Sequence, residues 1–368
     1  MKAVIGLGFG DEGKGLVTNY LDGSLVVRYS GGQQSGHNVV LENGKNHIFS
    51  NFGSGTLKGV PTYWSKFCTV DPLGMMNELD SLIEMGINPI LYIDGESPIT
   101  TPYDKYHNTN NDKDLNNGTC GVGVGSTFNR EEHFHHLTFS DIFNPWILDT
   151  KLNYIGKFYS FLDNELTEQI EEFLFMCHEM ITIENFKLTY GIPEDYTEDI
   201  VFEGSQGLLL DQHYGFFPHV TRANTGTKNI LEILEDTDHY DVDLYLVTRA
   251  YQTRHGNGPM TNDSIDFDVD NPNETNVDNE YQGEFRKSIL DVSLLEYGIN
   301  KDKYIRNNNK NLVITCLDQV DEYVFTYNGL MELCKDEDEF VTRISDILNV
   351  EHVFISKSNI SENIEKFK

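Results

Sequence analysis

Short apolar runs recur along the chain, separated by polar stretches long enough to hold helices. Ala3–Gly6 is a continuous apolar run read as a buried strand, and Leu16–Leu21 is read as the helix that follows it. Leu25–Tyr29 gives a second strand, with strand-like segments near Val39–Leu41 and Asn46–Phe49. Asp71–Met85 carries helical spacing after a strand-like Phe67–Val70, and Ile90–Ile93 is a short strand entered through Pro89. From Thr100 to Asn129 the chain is polar and glycine-rich and reads as active-site loops. Pro145–Phe186 is the longest helical stretch, with room for two helices. Strands return at Asp199–Phe202, Asp243–Thr248, Leu312–Thr315 and His352–Ile355. Strands alternating with helices predict an α/β fold with a largely parallel central sheet, helical insertions and long active-site loops. The expected organisation is a single domain over residues 1–368 with a helical insertion at about 145–190. The Asp- and Asn-rich segment at about 262–284 has few apolar anchors and predicts a mobile acidic loop.

Composition narrows the function classes. The chain has 59 acidic and 27 basic residues, a formal charge of −32. Nucleic-acid affinity rests on clustered Lys and Arg, so neither a nucleic acid nor an anionic membrane surface is expected as partner. In so acidic a chain, basic residues inside polar motifs become informative: Lys14, Arg222, Arg249, Arg254 and Arg286. The five cysteines are scattered without C-x-x-C spacing, which argues against a disulfide framework or zinc site and fits a reducing cytosol. The N-terminus enters a strand at once and no apolar run approaches membrane length, so a soluble cytoplasmic protein is expected.

The first strand runs directly into Gly8-Phe9-Gly10-Asp11-Glu12-Gly13-Lys14-Gly15. The spacing from Gly8 to Lys14 satisfies a phosphate-binding loop, in which glycines turn backbone N–H groups toward an anion and Lys14 adds a full charge. Gly15 replaces the hydroxyl that would hold Mg²⁺ in a conventional loop of this type. Asp11 and Glu12 stand inside the loop instead. A carboxylate facing phosphates is repelled unless it binds a metal or takes a proton, so the loop is read as built for chemistry as well as binding.

Further polar clusters follow predicted strands, where open α/β sheets place ligands. In Gly31-Gly32-Gln33-Gln34-Ser35-Gly36-His37-Asn38, His37 could donate a proton or hydrogen bond to a ligand; a surface turn with a solvated histidine competes. Gly118 to Thr127, with alternating glycines, reads as an anion nest or as a flexible linker. Glu203-Gly204-Ser205-Gln206-Gly207 offers Gln206 to a base edge, since an amide both donates and accepts; a turn with a satisfied Gln is the alternative. Arg249 and Arg254 leave a strand together, which suggests an anionic substrate or structural ion pairs. His133, His135 and His136 have weak support as a metal cluster.

Taken together, Gly10 to Gly15, Val27-Arg28-Tyr29-x-Gly31-Gly32, Gly36-His37-Asn38, Glu203 to Gly207, Pro218-x-Val220-Thr221 and Ala250-Tyr251-x-Thr253-Arg254-x-Gly256-x-Gly258-Pro259 resemble adenylosuccinate synthetase. The similarity runs from the N-terminus to about Asp318. It implies a homodimeric, magnesium-dependent ligase that joins L-aspartate to IMP at the expense of GTP. By that resemblance Asp11 takes the N1 proton of the purine, and O6 attacks the γ-phosphate to give a 6-phosphoryl intermediate. Asp11 and the Gly36 carbonyl hold Mg²⁺, Lys14 neutralises charge, His37 stabilises the phosphoryl group and Gln206 holds the purine edge. Gly10, Glu12, Gly13, Gly15 and Asp318 would complete the GTP or ATP site. Asn38, Thr119, Thr221, Arg254, Gly256 and Arg286 would bind the purine monophosphate and aspartate.

The chain departs from the family pattern in places. Its arginine-rich run is reduced to Gln282-Gly283-Glu284-Phe285-Arg286-Lys287, and the guanine-reading T-K-x-D becomes Thr315-Cys316-Leu317-Asp318. The arginine that a partner subunit sends to the monophosphate aligns with His135. These departures resemble viral relatives, some of which act on dGMP to make the 2-aminoadenine precursor. Those relatives generally replace the loop aspartate, so the presence of Asp11 puts IMP ahead of dGMP. A non-catalytic nucleotide-binding paralogue is the reading from another class.

Overall fold

A computed structural model describes residues 1–110, 120–160, 166–235, 241–272, 274 and 283–368. β1 (Lys2–Gly6) passes through the glycine loop into α1 (Lys14–Leu21). β2 (Leu25–Arg28) is followed by the hairpin of β3 (His37–Val40) and β4 (Asn46–Phe49), then β5 (Thr62–Trp64), α2 (Pro72–Glu84) and β6 (Leu91–Asp94). The helices α3 (Pro102–Asn110), α4 (Val124–Glu132), α5 (Pro145–Phe158) and α6 (Thr167–Thr182) precede β7 (Phe186–Thr189), β8 (Ile200–Gly207) and α7 (Lys228–Leu234). Next come β9 (Asp243–Arg249), β10 (Tyr251–His255), β11 (Phe285–Asp291), α8 (Val292–Lys301) and α9 (Lys303–Asn307). The chain ends with β12 (Lys310–Thr315), β13 (Val324–Tyr327), β14 (Leu330–Leu333), α10 (Glu337–Ile347), β15 (His352–Ile355) and β16 (Glu365–Lys366).

The main sheet has ten strands in the order β16-β15-β12-β9-β1-β8-β2-β5-β6-β7. All neighbours are parallel except β15 and β16. The expected α/β fold with a largely parallel sheet is the one the chain adopts. β1 lies between β8 and β9 and is buried on both faces, which is why its sequence is continuously apolar. Ala3 and Ile5 pack on one face with Leu244 and Leu246, while Val4 packs on the other with Val17 and Val313. A second sheet, β10-β11-β13-β14, lies outside the sequence expectation.

The stretch from Thr100 to Asn129, expected to be loop, contains α3 and most of α4. Their link is polar: Asp104 accepts from the Thr101 N–H at 2.8 Å and pairs with the buried Arg130 at 3.0 Å. Helices held by a buried ion pair leave no apolar stripe to read. Phe67–Val70 is not a named strand; Cys68 and Val70 make single bridges to Gly31 and Ile99, and the sheet takes Thr62–Trp64 instead. The helical stretch ends before Phe186, which opens the edge strand β7. In the segment at 262–284, residues 273 and 275–282 lie outside the described part.

Candidate active site

The loops leaving the carboxyl ends of β1, β2, β9, β12 and β15 open onto one cleft of about 1140 Å³. Ligand pockets of roughly 300–1,000 Å³ hold one drug-sized molecule, so this cleft has room for two small ligands. It sits where the connections on the two sides of β1 diverge, the switch point at which open α/β sheets bind ligands.

Gly10 and Gly13 adopt φ 103° and 94°, conformations that admit glycine at little cost, and Gly13 opens α1 without a side-chain cap. The helix's first N–H groups are thereby left for an anion. The structure turns Glu12 away from that role. Its carboxylate is buried, accepts from the N–H groups of Gly8 and Gly10 at 3.0 and 2.9 Å, and pairs with the Lys14 ammonium at 2.6 Å. A Cβ on Gly207 would fall 2.3 Å from Glu12 Oε1, so β8 passes directly beneath this carboxylate. Glu12 therefore braces the loop, and Lys14, which borders the cleft, is held by Glu12.

Asp11 has the opposite orientation. It lines the cleft with its side chain 25% exposed, its backbone at φ 62° and its carbonyl accepting from Arg249 Nε at 2.5 Å. Its Oδ2 lies 3.4 Å from His255 Nε2. Burial raises its pKa, but His255, Arg249 and Lys14 outweigh that and hold it below the ordinary carboxylate value. An ionised carboxylate therefore faces the ligand space.

Across the loop, His37 Nδ1 lies 2.6 Å from Glu203 Oε1, and its Nε2 is buried without a hydrogen-bond partner. Glu203 is fully buried and also accepts from the Ser54 N–H at 3.0 Å and from its hydroxyl. Burial pushes Glu203 up, but His37, the Arg28 guanidinium and Ser54 dominate and bring it down to about 2. Burial, with Arg28 and Lys14, keeps His37 below the ordinary histidine value despite Glu203. A carboxylate accepts, so Nδ1 donates and Nε2 remains for a ligand. Sequence reasoning gave Glu203 and Arg28 no role, although a charged residue inside an apolar strand was the available signal.

Gln206, Asn38, Thr221, Gly36, Gly13, Gly15 and Asp318 all border the same cleft. Gln206 Oε1 would be 3.2 Å from a Cβ on Gly10, which sets the amide against the loop. Arg254 borders it too, its guanidinium 4.2 Å over the Phe9 ring and donating to the carbonyls of Pro259 and His219 at 2.6 and 3.1 Å. It has no carboxylate partner among the described residues, and burial with Arg286 nearby pulls it down to about 10. Arg286 is placed differently from the expectation. It does not border the cleft: it pairs with Asp263 at 2.8 Å and donates to the Gly258 carbonyl at 2.6 Å. Cross-strand pairing sets Arg286 opposite Arg254, and Asp263 offsets the charge of this like-charged pair. Gly256 and Gly10 serve as backbone rather than as lining; the Gly256 N–H donates to the Glu284 carbonyl at 3.0 Å. Thr119 lies outside the described residues, while Gly123 of the expected anion nest caps α4 at φ 87°. No cluster of three or more His, Cys, Asp or Glu side chains suited to a metal occurs among the described residues, and His135 packs on Phe158 at 4.5 Å.

Residues 3–324 match the family model described as adenylosuccinate synthetase. A curated adenylosuccinate synthetase from Thermoplasma volcanium is 27% identical over 326 residues, 81% of this chain and 72% of that protein. One from Buchnera aphidicola is 31% identical over 285 residues, 73% of this chain and 66% of its own length. The fold is similar to that of fully ligated adenylosuccinate synthetase from Plasmodium falciparum, with TM-score 0.78, 17% identity and coverage of 100% and 99% of the two chains. It is also similar to a cyanophage S-2L succinoaminodeoxyadenylate synthetase bound to dGMP and dATP, with TM-score 0.68, 14% identity and coverage of 99% and 94%.

Proposed function

Because the chain belongs to the adenylosuccinate synthetase family, we propose that it joins L-aspartate to C6 of IMP while a nucleoside triphosphate is split to diphosphate and phosphate. Asp11 takes the N1 proton as O6 attacks the γ-phosphorus; the O6–P bond forms and the diphosphate leaves. The aspartate amine then attacks C6, and the C6–O bond breaks to release phosphate. Lys14, freed in part from Glu12, offsets the charge of the transferring group, and His37, which the bound phosphates would protonate, donates to it from Nε2. Gln206 reads the purine edge, Asn38 and Thr221 contact the monophosphate, and Arg254 supplies the uncompensated cation for an anionic substrate. Asp318 borders the end of the cleft where the donor base would lie.

Asp11 and Gly36 both border the cleft, and a carboxylate and a backbone carbonyl are hard oxygen donors. So sparse a protein donor set suits Mg²⁺, which keeps water and phosphate oxygens as ligands. Bound there, Mg²⁺ would neutralise charge on the phosphates. The homodimer and cytoplasmic setting belong to the same proposal.

The observation that carries this reading is the Asp11 carboxylate, 25% exposed and lining a cleft that also holds the unpartnered His37 Nε2. The experiment crosses GTP, ATP and dATP with IMP and dGMP, with aspartate and Mg²⁺ present, and follows the ultraviolet change of a 6-substituted purine. IMP is expected to react; reaction with dGMP alone would transfer the proposal to the 2-aminoadenine precursor. Asp11→Ala should abolish turnover while nucleotide binding remains measurable by calorimetry. Tight binding without turnover across every pair would instead indicate a non-catalytic paralogue.

A further inference from the structure

We propose that His255 is a positioning residue for Asp11, fixing the carboxylate that meets the purine; this rests on the ligase reading above. The family resemblance leaves the position between Arg254 and Gly256 open, so nothing in that pattern requires a histidine here. The imidazole ends β10, borders the cleft and places Nε2 3.4 Å from Asp11 Oδ2. Its ring rests on Phe285 with centroids 4.7 Å apart, and the same two residues pair across β10 and β11. A packed imidazole on a paired strand has little freedom to leave the carboxylate.

The other charged groups facing Asp11 are already committed. Lys14 is held by Glu12 at 2.6 Å. Arg249 gives Nε to the Asp11 carbonyl at 2.5 Å and a terminal nitrogen to Tyr251 Oη at 2.7 Å and Glu274 at 3.0 Å. Arg249 thus fixes the Asp11 backbone, at φ 62°, and leaves the side-chain torsions unset. Among the described residues, His255 supplies the charged-group nitrogen that lies within 4 Å of the Asp11 carboxylate. At 3.4 Å the contact is longer than a formed hydrogen bond, and catalytic contacts commonly shorten when substrate binds. The His255 Nδ1 is buried without a partner, so the ring can present Nε2–H to Asp11 without breaking another hydrogen bond.

The test compares His255→Val, which keeps apolar bulk, with His255→Gln, whose amide nitrogen reaches about as far as Nε2. Outer residues that orient a metal-binding or catalytic side chain typically change function by about 10–100-fold when removed. His255→Val should lower kcat by that order, while the dissociation constant for the purine monophosphate, measured by calorimetry without donor or metal, stays at the wild-type value. Mn²⁺ affinity, read by electron paramagnetic resonance with a non-hydrolysable triphosphate, should fall about tenfold in the same variant. His255→Gln should recover most of both losses. Unchanged kcat and Mn²⁺ affinity in His255→Val, equal damage in both variants, or a loss seen in monophosphate binding would each overturn the proposal. Wild-type protein run in parallel separates the two claims: if it turns over normally while His255→Val matches it, only the positioning role fails.

Discussion

Replacing Glu203 by Gln tests whether the buried carboxyl beneath His37 is ionised. Both Glu203 oxygens are acceptors in the structure, one from Ser54 N–H and the other from His37 Nδ1 and the Ser54 hydroxyl. Glutamine keeps the shape but offers one oxygen and one NH₂ group, so at least one of these donors loses its acceptor whichever way the amide turns. A buried donor left unmade costs about 1–3 kcal/mol. The substitution also removes a negative charge that interacts electrostatically with Arg28, a fully buried guanidinium bonded to the hydroxyls of Ser35 and Ser205 and the Phe52 carbonyl. The lost acceptor and the lost charge together predict a destabilisation of about 2–4 kcal/mol for this near-isosteric change.

Linkage gives an independent figure. A carboxyl held at about 2 in the fold and near 4.5 when unfolded contributes about 3 kcal/mol at neutral pH. Because the folded value is the lower one, that contribution is complete above 4.5 and is lost as pH falls from there toward 2. Urea denaturation read through Trp64, which is buried with Arg28 5.4 Å from its ring, reports the change close to its source. The wild-type and Glu203→Gln midpoints should be far apart at pH 7 and converge as acid protonates Glu203. A separation of less than about 0.5 kcal/mol at pH 7, the size of an ordinary surface change, or one that does not vary with pH, would refute an ionised Glu203.

Two further substitutions separate loop geometry from ligand charge. Gly207→Ala puts a Cβ 2.1 Å from the Gly8 carbonyl and 2.3 Å from Glu12 Oε1, so thermal unfolding should show a loss of about 2 kcal/mol or more together with lost nucleotide binding. Arg254→Met retains bulk over Phe9 and removes a buried charge without a carboxylate partner; the KM of an anionic substrate should rise about tenfold or more while the melting temperature stays level or increases.

Much of the cleft was legible in the sequence because its parts follow apolar runs without a break. The phosphate loop leaves β1 directly, and Gly36-His37-Asn38 and Gln206 lie at strand ends in the sequence as they do in space. What the sequence concealed depends on distant partners. Glu12 looked like a ligand-facing acid, but the Gly8 and Gly10 N–H groups and Lys14 hold it inward, in space that the bare Gly207 leaves open. Glu203 acquires its role from His37, 166 residues away. Arg286 looked free for aspartate until Asp263 and the Gly258 carbonyl claimed it. The helices α3 and α4 stayed hidden because a buried Asp104–Arg130 pair substitutes for apolar periodicity.

Two imidazole–carboxylate contacts flank this cleft, and burial assigns them opposite duties. In His37–Glu203 the side chains are 6% and 0% exposed and 2.6 Å apart. That carboxylate cannot reach a ligand and is held too low to exchange a proton near neutrality, so it acts through the imidazole, whose Nε2 remains open. In His255–Asp11 the side chains are 19% and 25% exposed and 3.4 Å apart. There the carboxylate is the open partner and the imidazole the support. Phosphoryl transfer to a purine oxygen needs a base at N1 and a donor at the phosphoryl oxygens at the same moment. In the reaction proposed above, Asp11 would serve the first need, and His37, protonated by the bound phosphates, would serve the second through Nε2.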